Sequence, residues 1–268
     1  MKRLLLLTTL AFSLTALAQQ KEGRIVYERT VQLPVRNFRD LDPEIAKQIP
    51  KTRTDQFELL FANNQSLWQY LPDATNEGGD HSFGGGGVVL RIASGNNDVS
   101  FYDFNKGTKL DQREVMERTF LISDSIKKLE WKLTEETKTI LNYTCKKATS
   151  TRIATRNQVS MENGEMKRTP IQDTAQVVAW YTTDIPVPIG PEYQGQLPGA
   201  ILELDIANGT SLYKAIEVSG KVNSNKIKAP KEGKKVTAAV FAKEREKIME
   251  EMQKNMPNGG GMRFRTMQ

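Results

Sequence analysis

The chain has 268 residues, 38% of them hydrophobic and 26% charged, with a formal net charge of +6. That composition excludes a collagen-like repeat, a disulfide-rich miniprotein and wholesale disorder. One cysteine excludes an internal disulfide or a cysteine-rich zinc site, and one histidine excludes every multi-histidine metal site.

Met1-Lys2-Arg3 is followed by an apolar run from Leu4 to Leu17 that ends in Ala16-Leu17-Ala18 before Gln19. A positive start, a short apolar core and small residues at the cut are the three parts of a secretory signal peptide, here residues 1–18. A membrane anchor needs about 20 apolar residues. This run is shorter and is broken by Thr8, Thr9, Ser13 and Thr15. Cleavage after Ala18 leaves 250 residues at +4, because Lys2 and Arg3 leave with the leader. The expected location is therefore outside the cytoplasm: periplasmic, outer-membrane-associated or secreted. No transmembrane segment is expected after cleavage. The remaining charge is scattered, which argues against nucleic acid as a partner. Cys145 reads as a structural, buried thiol.

Period-two alternation then recurs along the chain. Strands are expected at Gly23–Leu33, Gln56–Ala62 and Leu67–Leu71, the last two joined over Asn63-Asn64. Val88–Ala93 and Val99–Phe104 flank a turn-rich Ser94–Asp98 segment, and Arg113–Ser123, Leu129–Leu133 and Lys138–Ser150 continue the series. Residues 151–176 are polar, with Asn163-Gly164 at the tip of an extended hairpin, and Val177–Thr182 is a short aromatic strand. Ile201–Ala207 and Thr210–Ser219 surround Asn208-Gly209, a dipeptide suited to a type I′ hairpin turn.

Two helices are expected. Asp42-Pro43-Glu44 opens a short one to Gln48, stopped by Pro50. The longer spans 236–256, with Phe241, Ile248, Met249, Met252 and Met256 on one side. The Lys-rich stretch 221–235 reads as a linker to it, and the Gly/Met tail 257–268 as flexible. The architecture is mainly β: one domain over 19–220, as a curved antiparallel sheet or open half-barrel, with a short inserted helix and a C-terminal helix.

The search for chemistry yields little. Asp80-His81-Ser82 has the residue types of a hydrolase triad, but triad members are brought together by the fold, not by adjacency. Gly84–Gly87 lacks the Gly-Lys-Ser/Thr ending of a phosphate loop. Asp103, Asp111, Glu114 and Glu117 are potential carboxylate partners whose spacing the sequence does not fix. Met249, Met252 and Met256 are soft thioethers suited to Cu(I), though an apolar docking face explains them as well. No catalytic residue, resident metal or cofactor is expected. Trp68, Trp131, Trp180 and Tyr181 are the binding candidates, with ordinary core packing as their alternative.

One segment stands apart. Trp180-Tyr181-Thr182-Thr183-Asp184-Ile185-Pro186 runs on through Pro188, Gly190, Pro191 and Gly195 to Gln196-Leu197-Pro198-Gly199-Ala200-Ile201. Its prolines and glycines impose a rigid connector between two strands. With Leu129-x-Trp131, Lys138-x-Ile140 and Tyr143-x-Cys145-x-Lys147-Ala148, this stretch resembles the GLPGLI family, exported Bacteroidetes proteins of uncharacterised function. The resemblance covers about residues 129–205. In the naming motif Gln196 and Ala200 replace the family's glycine and leucine, and Gly195 is the neighbour available for the turn. The family implies no catalytic residues. These readings lead to an exported, non-enzymatic envelope protein that binds an apolar ligand or a protein partner, or else assists assembly of an outer-membrane system. A hydrolase using His81 is the remaining alternative.

Overall fold

The computed structural model describes residues 20–33, 50–72, 81–83, 90–92, 97–162 and 165–255. The leader, the short helix at 42–48, the glycine run 84–87, the Asn163-Gly164 tip, Met256 and the tail lie outside them.

The chain is mainly β. Strands β1 (Gly23–Gln32), β2 (Thr52–Ala62) and β3 (Gln65–Tyr70) are followed by a short pair, β4 (His81–Phe83) and β5 (Leu90–Ile92). Then come β6 (Val99–Asp103), β7 (Thr108–Val115), β8 (Arg118–Ser125), β9 (Lys132–Ile140), β10 (Tyr143–Glu162) and β11 (Glu165–Thr182). The series closes with β12 (Ala200–Ile206), β13 (Ser211–Ser219), β14 (Lys234–Thr237) and helix α1 (Ala238–Asn255). Twelve strands form one open sheet in the order β14-β8-β7-β6-β3-β2-β1-β13-β12-β11-β10-β9, while β4 and β5 pair separately. Every pair in the large sheet is antiparallel except β14 with β8.

Several strand expectations are corrected. Arg113–Ser123 is not one strand: the chain reverses at Met116-Glu117, with φ of 50° and 61°. Lys138–Ser150 likewise reverses at Leu141-Asn142, with φ of 47° and 68°. Neither carries the glycine that normally marks such left-handed positions, so pattern alone runs straight through them. The Asn208-Gly209 hairpin is present, but its loop is wider than a two-residue turn. Ala207, Asn208 and Gly209 all have positive φ, and the Gly209 N–H is held by Asp205 Oδ1 at 2.6 Å. β5 and β6 do not pair with each other: β6 lies between β3 and β7.

Alternation gives the large sheet two different faces. On the inner face the registers place Ile25 beside Leu59, Leu59 beside Trp68, Trp68 beside Ser100, Ser100 beside Asp111 and Asp111 beside Ile122. The connector 183–199 folds over this face and becomes part of the core. Its Ile185 and Ile189 are fully buried, and Val187 is nearly so, packed with Ile25, Tyr27, Leu59 and Phe61. Fully burying one such side chain contributes roughly 1.5–3 kcal/mol. Tyr27 fixes the arrangement by donating its hydroxyl to the Ile201 carbonyl at 2.7 Å.

Residues 221–235 do not hang free. Ile227 is buried against Leu60, Ala62, Leu67 and Phe101 on the outer face, and Lys234 starts β14. α1 then packs on β8 through Ile248 and Phe241, whose ring meets Phe120 edge-on at 5.3 Å.

Candidate functional site

The connector is held by backbone hydrogen bonds outside regular strand pairing. Gly195 N–H reaches Pro188 O at 2.7 Å, and Ala200 N–H reaches Ile185 O at 3.0 Å. Gly195 has φ +78°, a left-handed value that favours glycine. Gly199 is required for a different reason: a Cβ there would overlap the Thr182 carbonyl oxygen. Pro186, Gly190, Pro191 and Pro198 shape the path between. Leu197 is buried with Tyr181, Tyr193, Ile201 and Tyr213.

Three polar residues of the connector bind the sheet. Tyr213 donates its hydroxyl to Glu192 Oε1 at 2.7 Å. Ser66 donates to Gln194 Oε1 at 2.5 Å in a buried contact. Gln196 Oε1 accepts the Trp131 indole N–H at 3.0 Å and the Leu129 backbone N–H at 2.9 Å.

These placements settle where the aromatic candidates sit. Trp68 stacks on Phe57 at 5.1 Å and tilts against Tyr27 at 5.4 Å. Trp131 meets Tyr193 edge-on at 5.7 Å. Both pack against the cluster that contains Tyr181. Trp180 lies between Ala179 and Tyr181 on β11 and alternates with them, so it is outside that cluster. Its ring lies under Lys138 Nζ at 4.3 Å, and Lys138 is paired with Glu203 at 2.7 Å. The four residues do not share one surface. The connector's own Ile185, Val187, Ile189 and Leu197 occupy the inner face, the apolar surface an apolar ligand would need. Of the methionine group, Met249 is half-buried on α1.

The inner face also carries a polar band that the sequence reading missed. Ser100 and Asp111 are both buried, although their cross-strand neighbours Trp68 and Ile122 are apolar. Asp111 Oδ2 pairs with Lys109 Nζ at 2.9 Å. Arg113 bonds Ser100 Oγ and Asp98 Oδ2, each at 3.1 Å. Burial pushes the Arg113 guanidinium down, but Asp111, Asp98 and Glu192 outweigh it and leave its pKa raised. Burial raises the Asp98 carboxyl against the pull of Arg113. Further along, Asp55 Oδ2 accepts Arg29 at 2.7 Å and Arg53 at 3.0 Å, and Arg29 lies over the Phe57 ring at 4.6 Å. Asp55 Oδ1 and Asp111 Oδ1 are buried without a hydrogen bond among the described residues. A signal was present: Lys109, Asp111 and Arg113 alternate on β7 and share one face.

The other carboxylates are dispersed. Asp103 pairs with Lys106 at 2.9 Å, Glu114 accepts Asn97 at 2.7 Å, and Glu117 sits in the β7–β8 turn. No group of three potential metal ligands occurs among the described residues. Cys145 is fully buried, and burial pushes its thiol up to about 11.

The two ends of the sheet differ. The long connections from β1 to β2 and from β3 to β6 leave at the end that holds Arg29, Arg53, Asp55, Asp98 and Arg113. The connector 183–199 leaves at the opposite end, which also carries the short turns at 63–64 and 141–142. A shallow depression of about 470 Å³ there is lined by Leu141, Asn142, Tyr143, Glu217 and Val218. Gln20 reaches Tyr143 and Ser219 nearby, at 3.2 Å each.

Residues 131–203 match a family described as a protein of unknown function, Porph_ging. That stretch contains the connector and its Trp131 anchor. No curated protein matches the chain. Two crystal structures of PNGF-II, in space groups C2 and P21, are similar in fold, with 19% identity and a TM-score of 0.50. The match covers 85% of this chain and 33% or 34% of those chains, so this chain spans about a third of their length. LprF from Mycobacterium bovis matches with 8% identity and a TM-score of 0.28, over 81% of this chain and 92% of that one. Among the described residues, no helix is long and apolar enough to cross a membrane.

Proposed function

We propose that this chain is an exported, non-enzymatic β module that binds a protein partner in the cell envelope. The observation that carries the reading is the asymmetry of the sheet. One end holds the mixed-charge band of Arg29, Arg53, Asp55, Asp98 and Arg113 beside the connections from β1 to β2 and from β3 to β6, and loops on a rigid scaffold are where binding surfaces concentrate. The signal-peptide pattern over 1–18 supports export, as does the GLPGLI resemblance at 196–201, inside the matched stretch.

A protein partner is favoured over an acyl chain because the connector's aliphatic side chains already fill the inner face. Binding is favoured over catalysis because the sole thiol is buried and held protonated, the reverse of a reactive cysteine. His81 lies on the separate β4–β5 pair, off the large sheet.

Purification from the native envelope, followed by lipid extraction and mass spectrometry, tests the choice. A stoichiometric protein partner with no stoichiometric lipid is expected. A stoichiometric lipid overturns the protein-partner reading, and a mature chain retained in the cytoplasm overturns export.

A further inference from the structure

The hairpin β10–β11 outruns the sheet. β9 pairs with β10 only up to Thr149, and β12 pairs with β11 only from Val177 onward. β10 and β11 continue together from Thr151 opposite Gln176 to Glu162 opposite Glu165. This ribbon extends for roughly 35 Å at the strand rise. At its root Thr151, Gln172 and Thr174 are exposed and Ile153 is 65% exposed.

A two-stranded ribbon is marginally stable alone in water, and an open edge is a template for another strand. The edges available in this sheet are unequal. β14 has four residues, two of them lysine, and β9 carries Lys132, Glu135, Glu136 and Lys138. The free edge of β11 contains Pro170, which has no N–H to donate. The edge of β10 has no proline. It is closed as far as Ser150, whose hydroxyl donates to Glu130 O at 2.7 Å, and among the described residues no strand pairs with it over 151–162.

We infer that residues 152–162 form a homodimer interface, pairing antiparallel with the same residues of a second copy about a two-fold axis at Asn157. An axis normal to the sheet keeps each residue on its own face, so opposed positions must have the same parity. The free stretch 151–162 overlaps itself equally with the axis at 156 or at 157, and charge decides between the two. It sets Arg152 opposite Glu162 of the partner subunit, Ile153 opposite Met161 of the partner subunit and Thr155 opposite Val159 of the partner subunit. Each pairing occurs twice by symmetry. Moving the axis to 156 sets Arg156 against itself, and moving it to 158 leaves Arg152 outside the overlap. Of the two registers of greatest overlap, the one with its axis at 157 is charge-complementary, which favours a second copy over an unrelated strand.

Analytical ultracentrifugation of the mature chain should show a dimer. Glu162→Arg should weaken the dimer by about tenfold, and adding Arg152→Glu should restore it. Glu162→Arg is the cleaner single variant, because Arg152 also bonds the Tyr193 hydroxyl at the ribbon's root. Asn157→Cys should form a disulfide-linked dimer under mild oxidation, while Thr169→Cys on the other strand of the ribbon should not. The buried Cys145 stays out of this reaction. A monomer at all concentrations overturns the inference. So does a dimer indifferent to Glu162→Arg, or equal cross-linking of the two cysteine variants in folded protein.

Discussion

The amide oxygen of Gln196 holds the indole N–H of Trp131 at 3.0 Å, tying the connector to the start of β9. The same oxygen takes the Leu129 backbone N–H, so one side chain satisfies two donors from a segment that has just left β8. Gln196→Ala removes both bonds and should cost about 2 kcal/mol, since buried donors left unpaired lose more than the bond itself. Urea unfolding followed by tryptophan fluorescence measures it. An unchanged midpoint would show that the connector does not depend on this anchor.

Gly199 of the connector should differ from Gly209. Gly199→Ala drives a methyl group into the Thr182 carbonyl and should prevent the native fold from forming. Gly209→Ala meets open space, with only Gln32 Nε2 at 3.5 Å, and should cost about 1 kcal/mol for its positive φ. Comparing soluble yield and thermal midpoint of the two variants separates steric exclusion from backbone preference.

α1 should detach without unfolding the sheet. Ile248 is its buried contact with Phe120 and Ile122, and Ile248→Ala should remove about 2–5 kcal/mol of docking. Limited proteolysis should then release the segment after Thr237, while amide exchange in β1, β2 and β13 stays slow. Faster exchange across those central strands would mean that the helix is part of the main cooperative unit.

The Cys145 thiol predicts a stability change at alkaline pH. Its pKa is raised by burial to about 11, so between the ordinary thiol value and 11 the folded chain holds a proton that the unfolded chain has lost. Stability is fully present below that window and falls as pH rises through it, by roughly 2–3 kcal/mol. Cys145→Ala should reduce the pH dependence between about 9 and 10, below the range where Tyr27, Tyr102 and Tyr213, raised by burial, add their own loss. A thiol that reacts rapidly with a labelling reagent at pH 8 in folded protein would contradict the burial.

How far the sequence anticipates the molecule depends on the residues concerned. Alternation identifies β1, β2, β12 and β13, because each has one buried face and a polar or glycine-containing boundary. It fails at Met116-Glu117 and Leu141-Asn142, where left-handed turns use residues that pattern reading takes for strand. Rigidity of the connector is legible in its prolines and glycines. Its role as core is not, because Ile185, Val187 and Ile189 pack with Ile25, Tyr27, Leu59 and Phe61 of β1 and β2, more than a hundred residues earlier. The polar band is hidden for the opposite reason. Lys109, Asp111 and Arg113 look like the solvated side of a strand until Glu192 and Gln194 arrive from the connector to cover that side.

The proposed function is tested most directly by mapping contacts in the native envelope. Photo-cross-linking residues placed at Asn97 and Met116, at the charged end of the sheet, should give one discrete adduct with another protein. The same probes at Lys106 and Leu141, at the opposite end, should give none. Equal labelling from both ends, or adducts from the opposite end alone, would contradict a partner site at the charged end of the sheet.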